Sequence, residues 1–178
     1  MTSDWSYSDE EKKAVYKAIA QRRDMRHFTD KSIDQAVFAR ILASAHQAPS
    51  VGLMQPWRFI RITDQQVKQS IVDIVNDERQ QTAQALDERK QEFLALKVEG
   101  ILQCAEVVVA ALPDQREKHI FGRRTLPPMD FASLCCAIQN MWLAARVEGI
   151  GMGWVSMFDP EKIIQLLRIP LKMITAAN

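Results

Sequence analysis

Apolar positions three and four residues apart recur along this chain, broken by two short apolar runs and by connections rich in Pro, Gly and Asp. From Asp9 to about Arg23, Val15 and Ile19 stand four apart with no Gly or Pro between them, which predicts a helix. Ile33, Val37, Ile41 and Leu42 predict a second, from about Ser32 to His46, stopped at Ala48-Pro49. Trp57 to Ile62 alternates in part and is rich in aromatic and β-branched residues, as a strand is, and leads into a long polar helical stretch from about Asp64 to Lys90. The run Ala105 to Leu112, ended by Pro113-Asp114, suits a central strand buried on both faces. Phe131, Leu134, Ile138, Met141, Trp142 and Ala145 mark one long buried helix that Gly149 ends. Ile150 to Ser156 reads as a third strand, and Asp159-Pro160 caps a helix through Leu167, before a short tail from Arg168 to Asn178. Helices around three or more strands, without regular βαβ spacing, indicate an α+β fold in a single domain spanning 1–178.

Composition narrows the function classes. The chain has 178 residues, 47% of them hydrophobic, enough for one substantial core. Lys+Arg number 23 against 22 Asp+Glu, so no charge excess points to nucleic acid or an anionic membrane, and any anion site must be local. The acidic, polar start MTSDWSYSDEEKK is unlike a signal peptide and no stretch reaches membrane-span length, so a cytoplasmic protein is expected. Cys104, Cys135 and Cys136 lack ligand spacing and are expected as reduced core thiols. His27, His46 and His119 are scattered, so no metal site is expected.

Three segments could carry chemistry. Arg22, Arg23 and Arg26 gather around Asp24 at a helix end, where planar guanidinium groups can bind phosphate oxygens in pairs. Basic residues in a last turn also complement the helix dipole without further purpose. In Ala48 to Trp57, Gly52 permits close backbone approach, while Ser50 and Gln55 can meet a flat heterocycle; a plain helix-to-strand connection would use the same residue types. Gly151 and Gly153 interrupt the third strand, either for a ligand or for packing against a helix. Gly122-Arg123-Arg124-Thr125 is a second anion contact or a solvated turn. No GxGxxG, P-loop or GxSxG occurs.

In this order, RRDMRHF, APSVGLMQPWRFI and FGRRTLPPMDFASLCCAIQNMWLAARVEGIGMGWVSMFDP resemble the BluB branch of the nitroreductase-like flavoproteins, from about Tyr16 to Pro170. Other nitroreductases typically carry Ser where Asp24 stands, and Asp24, GRRT and GWVS together mark the branch. The resemblance implies a nitroreductase-like fold, with a mixed central sheet flanked by helices and FMN sites at a homodimer interface. It implies Arg22, Arg23, Met25 and Arg26 at the FMN phosphate, Ser50, Gly52 and Gln55 at the ring and ribityl chain, Gly153 and Trp154 at the reactive edge, and Asp24 and Ser156 in catalysis.

It further implies that reduced FMN is a substrate that molecular oxygen breaks down, carbon 1′ of the ribityl chain becoming carbon 2 of 5,6-dimethylbenzimidazole, the lower ligand of cobalamin. Erythrose 4-phosphate is released, and a separate flavin reductase supplies the reduced flavin. Asp24, kept ionised by its arginines, would take a proton, Ser156 would orient the reaction, and Gln91 to Gly100 would form a lid against water. The branch continues after the Asp159-Pro160 helix into a further apolar strand, of which the tail is expected to fall short. The competing readings are an NAD(P)H-dependent nitroreductase or flavin reductase, which needs room above the flavin, and a non-catalytic flavin-binding protein.

Overall fold

The computed structural model describes residues 5–86, 89–95, 98, 100–169 and 173–175. Helix α1 (Asp9–Gln21) starts in a capping box, in which the Ser8 side chain accepts from the Glu11 N–H while the Glu11 carboxylate accepts from the Ser8 N–H at 2.8 Å. Asp34 caps α2 (Gln35–His46) by accepting from the N–H groups of Ala36 and Val37, which starts that helix three residues later than Ser32. Strand β1 (Arg58–Ile62) leads into α3 (Gln65–Gln84), capped in the same way by Asp64. The polar helix does not run on to Lys90: α3 closes at Ala85, and a separate turn, α4 (Lys90–Leu94), precedes α5 (Gly100–Gln103).

Strand β2 (Val107–Pro113) is central, paired antiparallel with β1 from Arg58↔Ala111 to Ile62↔Val107 and, on its other side, with the three-residue β3 (Met173–Thr175). The tail, expected to fall short of a further strand, supplies one of three residues. Alternate residues of β2 face opposite layers. Val108 and Ala110 pack on a core of Ile41, Ala45, Trp57, Leu134 and Met141 from α2, the loop before β1 and α6 (Met129–Val147). Val107 and Val109 pack on a second core of Ile71, Val75, Ile101 and Ile163, the last from α7 (Pro160–Leu166). Each fully buried aliphatic side chain such as Leu134 contributes about 1.5–3 kcal/mol, and the two cores pack on opposite faces of the sheet.

Two further expectations need correction. The segment 150–156 is not a strand: it makes one isolated parallel bridge, Asp24↔Met152. The reason is that both its glycines lie against Met25; a Cβ at Gly151 would fall 2.8 Å from Met25 Cγ, and one at Gly153 2.5 Å from the Met25 carbonyl oxygen. Nor are all three cysteines in the core, because Cys136 is exposed and Cys104 and Cys135 are half-buried. On α6 the buried stripe is Leu134, Ala137, Met141 and Ala145, and Cys136 stands about 200° around the helix from Leu134. Among the described residues no helix is long and apolar enough to cross a membrane.

Candidate active site

The contact between Met25 and the two glycines brings together the segments that carry Asp24 and Ser156. The Met25 N–H donates to the Met152 carbonyl at 2.9 Å, and the Trp154 N–H donates to Asp24 Oδ1 at 2.9 Å. Asp24 Oδ2 pairs with Arg26 at 2.5 Å. Both carboxylate oxygens thus meet donors, on a side chain about one-third exposed. Arg22 lies over the Trp142 ring, 4.6 Å from its centroid, and Trp154 meets the same indole with ring centres 6.1 Å apart. Arg23 donates to the carbonyls of Ala20 and Arg22 at 2.7 and 2.9 Å, so part of its role is to complement the end of α1.

Two hollows adjoin this cluster. The smaller, about 280 Å³, is lined by Arg22, Arg23 and Arg146 with residues 149–152. Arg146 is held by Gln21, whose side-chain oxygen accepts from Nη2 at 2.9 Å. The larger, about 790 Å³, takes Arg26, Gly153, Trp154 and Ser156 from the cluster and is otherwise mainly apolar, bounded by β2, α6 and the residues Val98 and Gly100 of the expected lid. Gly100 sits against the Arg26 carbonyl and the Phe28 ring, so the end of that stretch reaches the arginine motif, while residues 96, 97 and 99 of it lie outside the described residues.

Ser50, Gly52 and Gln55 do not join this cluster within one chain. Their loop is tied to the other end of α6, where the buried Ser133 hydroxyl accepts the Val51 N–H at 3.0 Å. Ser133 and Trp142 are set roughly 13 Å apart along α6 by a rise of about 1.5 Å per residue. The loop is closed by Ser50 Oγ, which accepts the Gln55 N–H at 3.0 Å, and by the Gln55 side-chain amide, which donates to the His46 carbonyl at 3.1 Å. Gly52, Leu53 and Gln55 all have positive φ, at 53, 52 and 46°. The close approach that Gly52 permits is to protein, since a Cβ there would lie 2.6 Å from the Phe121 carbonyl oxygen.

Several groups around the site carry no signal in the sequence. His46 Nδ1 accepts from the buried Trp57 indole at 3.1 Å, which gives that histidine a packing role. Lys68 is fully buried on α3 and donates to the carbonyls of Cys104 and Ala105, both at 2.8 Å, closing α5 onto β2. Asp130 is buried at the start of α6 and accepts from Arg116 Nε at 2.7 Å and Arg123 Nε at 2.8 Å, which commits the first arginine of the GRRT motif to the fold. Burial pushes the Asp130 carboxyl up, but the hydrogen bonds from Arg123, Arg116 and the Phe131 N–H outweigh it and hold it below the usual carboxylate range. Burial raises the thiols of Cys104 and Cys135, so neither stands out as an activated nucleophile.

Comparison with known proteins fits these observations. Residues 19–177 match the nitroreductase family. The 5,6-dimethylbenzimidazole synthase of Rhodospirillum rubrum is 40% identical over 153 residues, which are 84% of this chain and 72% of that one. Among solved structures, a BluB-like flavoprotein from Clostridium difficile 630 superimposes with a TM-score of 0.72 at 18% identity, covering 90% of this chain and 85% of that one. Iodotyrosine deiodinase bound to FMN and 3-iodo-L-tyrosine gives 0.75 at 18% identity, covering 89% and 83%. With its fold shared by solved flavoproteins and its sequence matched over most of its length, the chain belongs to the nitroreductase family, in the branch of the 5,6-dimethylbenzimidazole synthases.

Proposed function

We propose that the chain fragments reduced FMN with molecular oxygen, giving 5,6-dimethylbenzimidazole, the lower ligand of cobalamin, and erythrose 4-phosphate. The observation that carries this reading is the Asp24 carboxylate, fixed between Arg26 and the Trp154 N–H beside the segment that holds Ser156. When bound, FMN supplies both the ring that reacts with oxygen and the carbon that becomes part of the product. The residues present fit it: three guanidinium groups around a hollow of about 280 Å³ suit a phosphate monoester, which arginine forks bind in pairs.

In this reading Arg22, Arg23 and Met25 hold the phosphate end together with Arg146, Arg26 approaches it from the larger hollow, where it pairs with Asp24, and Ser50, Gly52 and Gln55 meet the ring and ribityl chain. Asp24 takes a proton from the ribityl chain, a task for which its two donors keep the carboxylate in one orientation. Ser156, exposed and lining the larger hollow, presents its hydroxyl to the reacting edge beside Gly153 and Trp154. The 91–100 stretch limits water, consistent with the burial of Val98 and Gly100 against the cavity.

A homodimer would supply the Ser50–Gln55 loop of one chain to the Asp24 cluster of another. Its support is the exposed apolar surface: α1 buries none of its residues and leaves Val15, Tyr16 and Ile19 at least half exposed, while Leu53 and Phe121 are exposed at the other end. The enzyme works in the cytoplasm and draws reduced FMN from a separate flavin reductase.

The test is to reduce the FMN-loaded protein and admit air. Irreversible loss of the flavin absorbance is expected in the wild type, and full return of oxidised FMN would contradict the reading. Asp24→Asn keeps an oxygen for the Trp154 N–H but no base, so it should bind FMN while losing about 100-fold or more in rate of flavin loss.

A further inference from the structure

Residues 116–123 form a loop tied at both ends to one atom. Asp130 Oδ2 accepts from Arg116 Nε at 2.7 Å and from Arg123 Nε at 2.8 Å, with side chains only 13% and 17% exposed around a carboxylate that is 5% exposed. Arg116 also donates to the Pro113 carbonyl at 2.6 Å, which fastens the start of the loop to the end of β2. A helix-start aspartate that served only the helix dipole could stand in water. This one is buried under two cations, and its other oxygen accepts the Phe131 N–H at 2.6 Å.

The apex of the loop bears on the segment carrying Ser50, Gly52 and Gln55. A Cβ at Gly52 would lie 2.6 Å from the Phe121 carbonyl oxygen and 3.1 Å from its ring, and one at Gly122 would lie 2.6 Å from Val51 Cγ2. Beneath, Ser133 accepts the Val51 N–H and donates to the Met129 carbonyl, so the same first turns of α6 hold both layers. The supported segment is strained, because Leu53 and Gln55 adopt left-handed φ that residues with a Cβ avoid. Such conformations persist only where the surroundings over-determine them.

We propose that Asp130 and Arg123 are positioning residues for the flavin: through Phe121 and Gly122 they press the Ser50–Gln55 loop into its strained, ligand-ready shape. The flavin part of this rests on the function proposed above; the mechanical part does not. Arg123 would act without touching the ligand.

The experiment compares the wild type with Arg123→Gln, Arg123→Lys and Gly122→Ala by amide hydrogen exchange of the FMN-free protein, then by FMN titration. Arg123→Gln leaves Arg116 on the carboxylate; exchange across 51–55 should rise about tenfold while the α2 and α6 cores stay protected. Arg123→Lys should restore most of the protection. Gly122→Ala alters no charge and gives a second route to the same loosening should Arg123→Gln fail to fold. The FMN dissociation constant should weaken at least several-fold in step with exchange. Unchanged exchange at 51–55 in the folded variants overturns the mechanical coupling. Faster exchange with unaltered FMN affinity overturns the positioning role. A wild type that binds no FMN would instead refute the flavin reading, and exchange alone would then decide whether the clamp shapes the loop.

Discussion

Asp130 ties both ends of the 116–123 loop to one carboxylate, in a region that contains none of the residues proposed for catalysis. Its carboxyl is held below the ordinary 3.8 by two arginines that outweigh burial, so the native state binds fewer protons than the unfolded chain in that range. The stabilisation is complete above the unfolded value and is lost as pH falls through the folded one. Denaturant titrations should therefore show wild-type stability declining below about pH 4, with a flatter acid limb for Asp130→Asn. At neutral pH that variant should be destabilised by about 3 kcal/mol, since two nearly buried guanidinium groups lose their counter-ion. An equal acid slope in both proteins would show that Asp130 is not the titrating group. Nothing in the sequence marks this residue: an aspartate after Pro127-Pro128 reads as a solvated helix start, and its partners lie 7 and 14 positions upstream. Lys68 is illegible for the same reason, a lysine in a polar helix whose burial is decided by carbonyls 36 and 37 residues away. By contrast Arg22, Arg23 and Arg26 stand close together in the sequence, and that local cluster is what suggested an anion site.

Among the elements, β2 and α6 were legible because their apolar patterns have the right period and length, and both are flanked by Pro or Gly. The segment 150–156 was misread because its alternation of small and large residues serves a different contact. Its glycines admit Met25, and the Trp154 N–H goes to a side chain where a strand would send it to a neighbouring backbone. Gly153→Ala tests that packing. The new methyl would meet the Met25 carbonyl oxygen at 2.5 Å, so the two segments must part and the Asp24 to Trp154 hydrogen bond must lengthen. Loss of flavin breakdown by about tenfold or more is expected with far-UV circular dichroism unchanged; wild-type rates would show that the stitch is dispensable. The end of α3 was misplaced because helical propensity continues through polar residues where the structure closes the helix at Ala85.

At the scale of the molecule, the residues proposed for the site fall into two groups. Asp24, Arg26, Trp154 and Ser156 gather near the C-terminal half of α6, while Ser50, Gly52 and Gln55 are anchored at its start. A composite site across two chains follows if the exposed apolar residues of α1 meet a second copy. Ile19→Glu, on a helix that buries none of its own residues, should leave the monomer fold intact and lower the dimer fraction in sedimentation, with FMN binding falling in parallel. A monomeric wild type with full FMN affinity would refute the shared site. The long helices and the central strand followed from hydrophobic period; the separation of the two segments did not, because distance along α6 becomes visible only once the two loops are seen at its opposite ends.

The most direct test of the central claim is to follow one carbon. FMN labelled with carbon-13 at ribityl carbon 1′ is reduced on the protein, exposed to air, and the small-molecule products are analysed by mass spectrometry. The account predicts 5,6-dimethylbenzimidazole one mass unit heavier, with the label at carbon 2 and a yield that follows protein concentration and collapses in Asp24→Asn. Quantitative recovery of labelled FMN, with no benzimidazole formed, would contradict it.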